Sequence, residues 1–171
     1  MRIPILACLF SALLLTGCLP PKTVTVGATA TLLEDVAKSS NRQSDLKTVR
    51  EGTPSYLMLM DGMIGVLPSN ARLLLGAAEA NASFASAFVE DEDQDRARLL
   101  FGKAKVYAQK ALELKGLKSD KVYDDFEKDL GNLGKEDVPY LFVAATAWGS
   151  CARGCFRNRW RIRKAGLRMR E

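Results

Sequence analysis

Histidine is absent from the 171-residue chain. That excludes Ser-His-Asp and Cys-His catalysis, and histidine-ligated metals, within one chain. No glycine-rich phosphate loop and no nucleophile motif is present, so an enzyme is not expected and no cofactor or metal is implied. Cysteine is scarce: Cys8 and Cys18 fall near the N-terminus, Cys151 and Cys155 near the C-terminus. The last two form a C-x3-C pair, too few ligands for zinc, which usually needs four. No run argues for a β-strand. Acidic residues are all but missing from one stretch. Between Cys151 and Glu171 stand eight Arg or Lys and one acid, so this tail carries +7. The whole chain carries +5, which leaves the first 150 residues at −2. The basic balance therefore belongs to the tail, and nucleic acid is not an expected partner of the folded body.

What is present begins with Arg2 and an apolar run from Ile3 to Leu15. The run is shorter than the roughly 20 residues that span a bilayer core, and it reads as a secretory signal. Leu15-Thr16-Gly17-Cys18 follows directly and resembles the lipobox of bacterial lipoproteins. The resemblance implies cleavage of residues 1–17 and lipidation of Cys18 by a diacylglyceryl thioether and an N-acyl chain. Several acyl chains anchor far more stably than one. Leu19 rather than Asp after the cysteine implies the outer membrane.

Periodicity then gives helices throughout, an all-α class with short connections. Residues 18–45 comprise the lipidated N-terminus, a tether, a short helix over Val24 to Val36 and a polar loop from Lys38 to Ser44. Asp45 is placed to cap a helix running toward Leu67, which either starts at Pro54 or kinks there. Tyr56, Leu57, Met60, Met63, Ile64 and Leu67 share one face. Asn70 is an N-cap for a helix over Ala71 to Val89, rich in alanine. Glu90 to Asp95 reads as a solvated acidic turn facing the positive end of the next helix, in preference to a calcium loop. Ala97, Phe101, Ala104, Ala108 and Ala111 recur at spacings of three and four in the helix from Arg96 to Lys115, which Gly116 stops. Further helices are expected over Ser119 to Leu130 and from Asp137 onward, the last with Leu141, Ala144, Ala145 and Trp148 on one face.

Pro68-Ser69-Asn70, Leu74 with Ala78, and Ala97-x3-Phe101-x2-Ala104 fit one tetratricopeptide-like unit with an elongated turn. The expected architecture is antiparallel helical hairpins in a right-handed array over 46–150. Three segments carry a family resemblance: LLLGAAEANASFASAFVEDED at Leu73 to Asp93, RARLLFGKAKVYAQKALEL at Arg96 to Leu114, and KEDVPYLFVAATAWGS at Lys135 to Ser150. With them the chain resembles the T-component (TatT) family of TRAP, tripartite ATP-independent periplasmic, transporters. The resemblance implies a periplasm-facing lipoprotein that pairs with a TRAP substrate-binding protein and helps handle a hydrophobic ligand. A helical-repeat scaffold of an envelope complex, with no small ligand, is the alternative. A second copy of the chain is a further candidate partner.

The resemblance stops near Ser150, where acids vanish and arginines dominate. A frameshift or truncation, making 151–171 non-native, is the expectation; the alternative is a basic tail for anionic lipid headgroups. Tyr56, Met60, Phe84, Phe88, Tyr107 and Trp148 are the candidate groove residues, weighed against ordinary core packing. Arg72, Arg96 and Lys103 read as solvated surface in preference to contacts with an anionic ligand or a partner. Asp61 and Glu79, charged residues in apolar helices, are either exposed or paired.

Overall fold

The computed structural model describes residues 29, 32–33, 35–118 and 123–168, with side chains described as far as 153 apart from that of Tyr123. Cys18 and the signal segment lie outside the described residues. All regular structure among the described residues is helical. Helix α1 spans Leu46–Val66, α2 Ala71–Phe84, α3 Gln94–Leu114, α4 Tyr123–Leu130 and α5 Val138–Arg168. Residues 35–40 are also helical, so the polar loop is shorter than the sequence suggests and begins at Asn41.

Local side chains start these helices. Asp45 accepts from the N–H groups of Lys47 and Thr48, satisfying two donors that the first turn leaves unpaired. Asn70 accepts from Leu73 N–H at 3.1 Å, and Asp93 from Arg96 N–H at 2.9 Å. Helix α1 does not start at Pro54; it runs through it. An interior proline costs about 3 kcal/mol. Leu57, Met60, Met63 and Ile64 are all buried beyond it, and burying each is worth about 1.5–3 kcal/mol. Packing outweighs the proline, and the helix persists. The Thr53 hydroxyl donates to Val49 O at 2.6 Å, giving the adjoining turn an extra bond.

Helix α2 does not continue regularly to Val89, as its sequence predicts. A π-helical turn follows over Ala85–Val89, with Glu90 N–H bonded to Ala85 O at 2.8 Å. The wider turn carries the buried face from Ala85 to Val89 rather than to Phe88, which is left half-buried. Helix α3 ends in a Schellman motif. Leu117 N–H bonds Leu112 O at 3.1 Å and Gly116 N–H bonds Glu113 O at 3.0 Å. Gly116 has φ +92°, a conformation that a side chain would strain. Leu117 is buried immediately after it.

Helices α2 and α3 form an antiparallel pair. Arg96, at the start of α3, lies over the Phe84 ring at the end of α2, while Leu73 and Leu74 share a core with Ala111 and Leu112. The alanine stripe of α3 is buried as its spacing predicts: Ala97, Phe101, Ala104, Ala108 and Ala111. Helix α5 runs antiparallel to α3, since Asp137 meets Lys115 and Trp148 meets Lys105. It also packs along α2, while α1 packs on α2 as well. A larger core joins α1, α2, α3 and α5 around Leu74, Ala78 and Ala104. A smaller, aromatic one contains Leu57, Phe84, Val89, Ala97 and Phe101.

The last helix corrects one expectation. Tyr140, Val143, Ala144 and Ala147 are buried, whereas Ala145 and Trp148 face outward and Leu141 is half-buried. Residues 138–152 contain no charge, so the pattern offers no polar side to mark the outer face. The backbone of α5 also runs helically across Ser150 to Arg168.

Candidate functional site

Three features of this bundle carry polar or aromatic chemistry. The first is the aromatic end of the α2–α3 hairpin. The π turn holds Phe84 and Phe88 with ring centroids 5.8 Å apart and planes tilted by 42°. The Arg96 guanidinium sits 5.7 Å from the Phe84 centroid, a cation–π arrangement. Tyr56 and Phe88 pack half-buried on this cluster, beside Leu57 and Phe101. Arg96 is therefore placed on an aromatic face as well as in solvent.

The second is a polar bridge between α1 and α3. Asp61 pairs with Lys103 and accepts from the Tyr107 hydroxyl at 2.7 Å. Lys103 also lies 5.9 Å from the Tyr107 ring centroid. Burial, and then the hydrogen bond to Asp61, hold the Tyr107 phenol well above its ordinary range. Lys103 is thus a paired residue with 38% of its side chain exposed, not the freely solvated one its sequence suggests. Of the two acids in apolar helices, Asp61 is paired and Glu79 is exposed.

The third is a cleft of about 620 Å³ at the end of the hairpin, lined by Val66 to Arg72 with Lys115 and Tyr140. Lys115 reaches Asp137 at 2.9 Å and lies 4.8 Å from the Tyr140 centroid. The ammonium hydrogen-bonded to it, then the Gly134 N–H, hold the Asp137 carboxyl below its ordinary range. The same bond raises Lys115 above its own. The cleft offers apolar walls from Val66, Leu67 and Pro68 and a cationic edge from Arg72 and Lys115. Such a lining suits an amphipathic molecule with an acidic head.

The candidate groove residues do not all meet in one place. Tyr56, Phe84 and Phe88 join at the aromatic end, and Met60 belongs to the larger core with Tyr56 and Tyr107 at its margin. Met60 and Phe84 are buried, at 2% and 4% exposure. Tyr56 also donates to Leu33 O at 3.3 Å, tying the N-terminal segment to α1. Trp148 stands apart on α5 beneath Lys105, 5.2 Å from the ring centroid. The acidic turn is taken up locally: Asp93 caps α3, Glu92 pairs with Arg50, and Asp95 lies 3.6 Å from Arg98. Sequence reasoning missed the Lys115–Asp137 cleft and the partners of Asp61. The signals were an acid at Asp61 inside an apolar face, and Lys103 with Tyr107 one turn apart on α3.

Among the described residues no helix is long and apolar enough to cross a membrane. No curated protein and no solved structure matches the chain. A family model does, over residues 42–154, which is two thirds of the chain and takes in α1 through α4, the hairpin, the cleft and the first half of α5. The chain belongs to the TRAP transporter T-component family.

Proposed function

We propose that this chain is a periplasm-facing lipoprotein, anchored in the outer membrane through Cys18, that serves a TRAP transport system by binding its substrate-binding protein. The observation that carries this reading is the family match over residues 42–154. The lipobox at Leu15 to Cys18 supplies the address. The packing of α5 along both α2 and α3 supports a tetratricopeptide-like array, because stacked hairpins bury each new helix against the preceding pair. The protein acts by recognition rather than by chemistry. Its open cleft and the aromatic end of the hairpin are the two places suited to a hydrophobic or amphipathic ligand.

A scaffold with no small ligand is the second reading. It is favoured by Met60 and Phe84, which are buried in the core rather than open to a ligand. Two measurements separate the readings. The chain is used as bait against the substrate-binding protein encoded beside TRAP membrane subunits, and the purified chain is extracted and analysed for retained lipid by mass spectrometry. Binding plus retained lipid supports the ligand-handling component; binding without lipid supports the scaffold. No binding to that protein refutes the transport reading. Cys18→Ser should move the chain from the membrane to the soluble fraction, and persistent membrane attachment would refute the anchor.

A further inference from the structure

The basic tail is a motif that the transport reading leaves unused. Eight Arg or Lys stand between Cys151 and Glu171, with no acid before Glu171 itself. Phe156, Trp160, Ile162 and Leu167 are interspersed among them. The family match ends at residue 154, so it assigns the tail nothing. The structure adds two observations. Helix α5 is one unbroken helix from Val138 through Arg168, which carries the tail roughly 22 Å past Arg153. The N-terminal segment and the tail also meet the bundle at the same place. Cys151 packs against the aromatic cluster of Leu57, Phe84 and Phe101, and so does Tyr56. The Tyr56 hydroxyl in turn donates to Leu33 O at 3.3 Å, and Leu33 is buried. The segment that leads from Cys18 therefore reaches the bundle at the end where the tail leaves it.

Leu33 lies fifteen residues beyond Cys18, at most roughly 50 Å of extended chain. Lipid on Cys18 thus holds the tail within reach of a bilayer surface. The net charge of +7 attracts anionic headgroups, and tryptophan and phenylalanine among arginines suit the headgroup boundary. We infer that residues 154–168 form a surface helix that docks on anionic phospholipid, a second attachment beside the acyl chains. The nearness of the bilayer rests on the lipoprotein reading. Several acyl chains already retain the protein, so the tail's effect is orientation. It turns the aromatic end of the bundle toward the membrane and the Lys115–Asp137 cleft, at the opposite end, away from it. The acidic turn lies at the membrane-facing end and opposes docking. Its five acids, less Arg50, Arg96 and Arg98 beside them, leave −2, which the tail outweighs. An unbroken helix also projects past that turn instead of folding back onto it.

The test uses the full lipidated chain carrying Trp148→Phe, which leaves Trp160 as its one tryptophan. It is reconstituted into vesicles whose lipid is brominated high in the acyl chains. Trp160 fluorescence should be quenched where the vesicles contain phosphatidylglycerol with phosphatidylethanolamine, and not on phosphatidylcholine alone. The quenching should vanish at about 0.5 M salt, where the Debye length falls to about 4 Å. Arg159→Gln, Arg161→Gln and Arg163→Gln together should lower the ratio of docked to free tail on the order of 100-fold, at about five-fold per basic residue. Lys110→Gln, Lys118→Gln and Lys135→Gln remove the same charge from the opposite end of the bundle and should change nothing. Flotation of the vesicles at about 0.5 M salt reads the lipid anchor separately. The Cys18→Ser fractionation belongs at that salt too, where the tail no longer holds. A chain that floats there while Trp160 stays unquenched on phosphatidylglycerol overturns this inference and leaves the anchor. A chain that fails to float, with Trp160 quenched at low salt, overturns the anchor and supports the tail. Quenching equal on phosphatidylcholine, or indifferent to the three arginines, also overturns the inference. So does a Trp160 shielded only when the TRAP substrate-binding protein is added.

Discussion

Replacing Pro54 by alanine should stabilise this protein. Pro54 is the ninth residue of α1, well inside the helix. It supplies no N–H to the carbonyl of Arg50, and its ring presses on that carbonyl. Alanine restores the bond and carries a helix propensity about 3 kcal/mol better than proline. Two terms reduce the gain. Proline restrains the unfolded chain, an advantage of about 0.4–1 kcal/mol that alanine forfeits. The ring is half-buried, and losing its contacts costs roughly one buried methylene, about 0.8 kcal/mol. The balance is a stabilisation of about 1–2 kcal/mol. In a chain of this size that raises the melting temperature by about 2–8 °C. Helical circular dichroism followed through thermal and urea unfolding measures both quantities. Pro54→Gly should gain about 1 kcal/mol less than Pro54→Ala, since glycine restores the donor but not the propensity. A Pro54→Ala variant no more stable than the parent would refute the reasoning. It would mean that α1 is bent at Pro54 to fit α2, so that straightening it strains the packing.

Other substitutions probe the core and the two ion pairs. Phe101→Ala empties the centre of the aromatic cluster, where Phe101 is 1% exposed, and should cost about 3–5 kcal/mol in urea unfolding. Asp61→Asn should bring the Tyr107 phenol down toward its ordinary range, visible as earlier tyrosinate absorbance on alkaline titration; an unmoved transition would mean that burial alone raises it. The Lys115–Asp137 pair sets a pH window. Asp137 is lowered, so its contribution is present above the unfolded carboxyl value of about 3.9 and is lost as pH falls through the folded one. Lys115 is raised, so its contribution is present below about 10.4 and is lost as pH rises through the folded value. The urea midpoint of Lys115→Met should therefore lie below the parent's at pH 7 and converge with it on acidification below about pH 4. A gap that stays constant to pH 2 would show that Lys115 acts through its stem packing on Tyr140 instead.

Much of this fold is written in short stretches, and the exceptions have a common cause. Asp45, Asn70 and Asp93 cap their helices because each bond closes within three residues, so the sequence neighbourhood holds every participant. Gly116 ends α3 for the same reason. The alanine stripe from Ala97 to Ala111 is legible because small and bulky apolar residues recur there at spacings of three and four, although the opposite face mixes charges with the exposed Leu99 and Val106. Helix α5 carries no charge between 138 and 152, and its sequence admits either face as the inner one. The π turn was hidden because it arises where Val89, rather than Phe88, completes the aromatic core.

Sequence by itself therefore determined the all-α class, the caps at Asp45 and Asn70, the stop at Gly116, the small-residue hairpin and the family, since each rests on bonds or spacings within a few turns of chain. Only the tertiary structure decided that α1 passes through Pro54, that Tyr140 rather than Trp148 turns inward, and that Asp61 finds Lys103 across 42 residues. Those outcomes compare the burial of one whole helix face with another. That comparison exists only once the partner helices are in place.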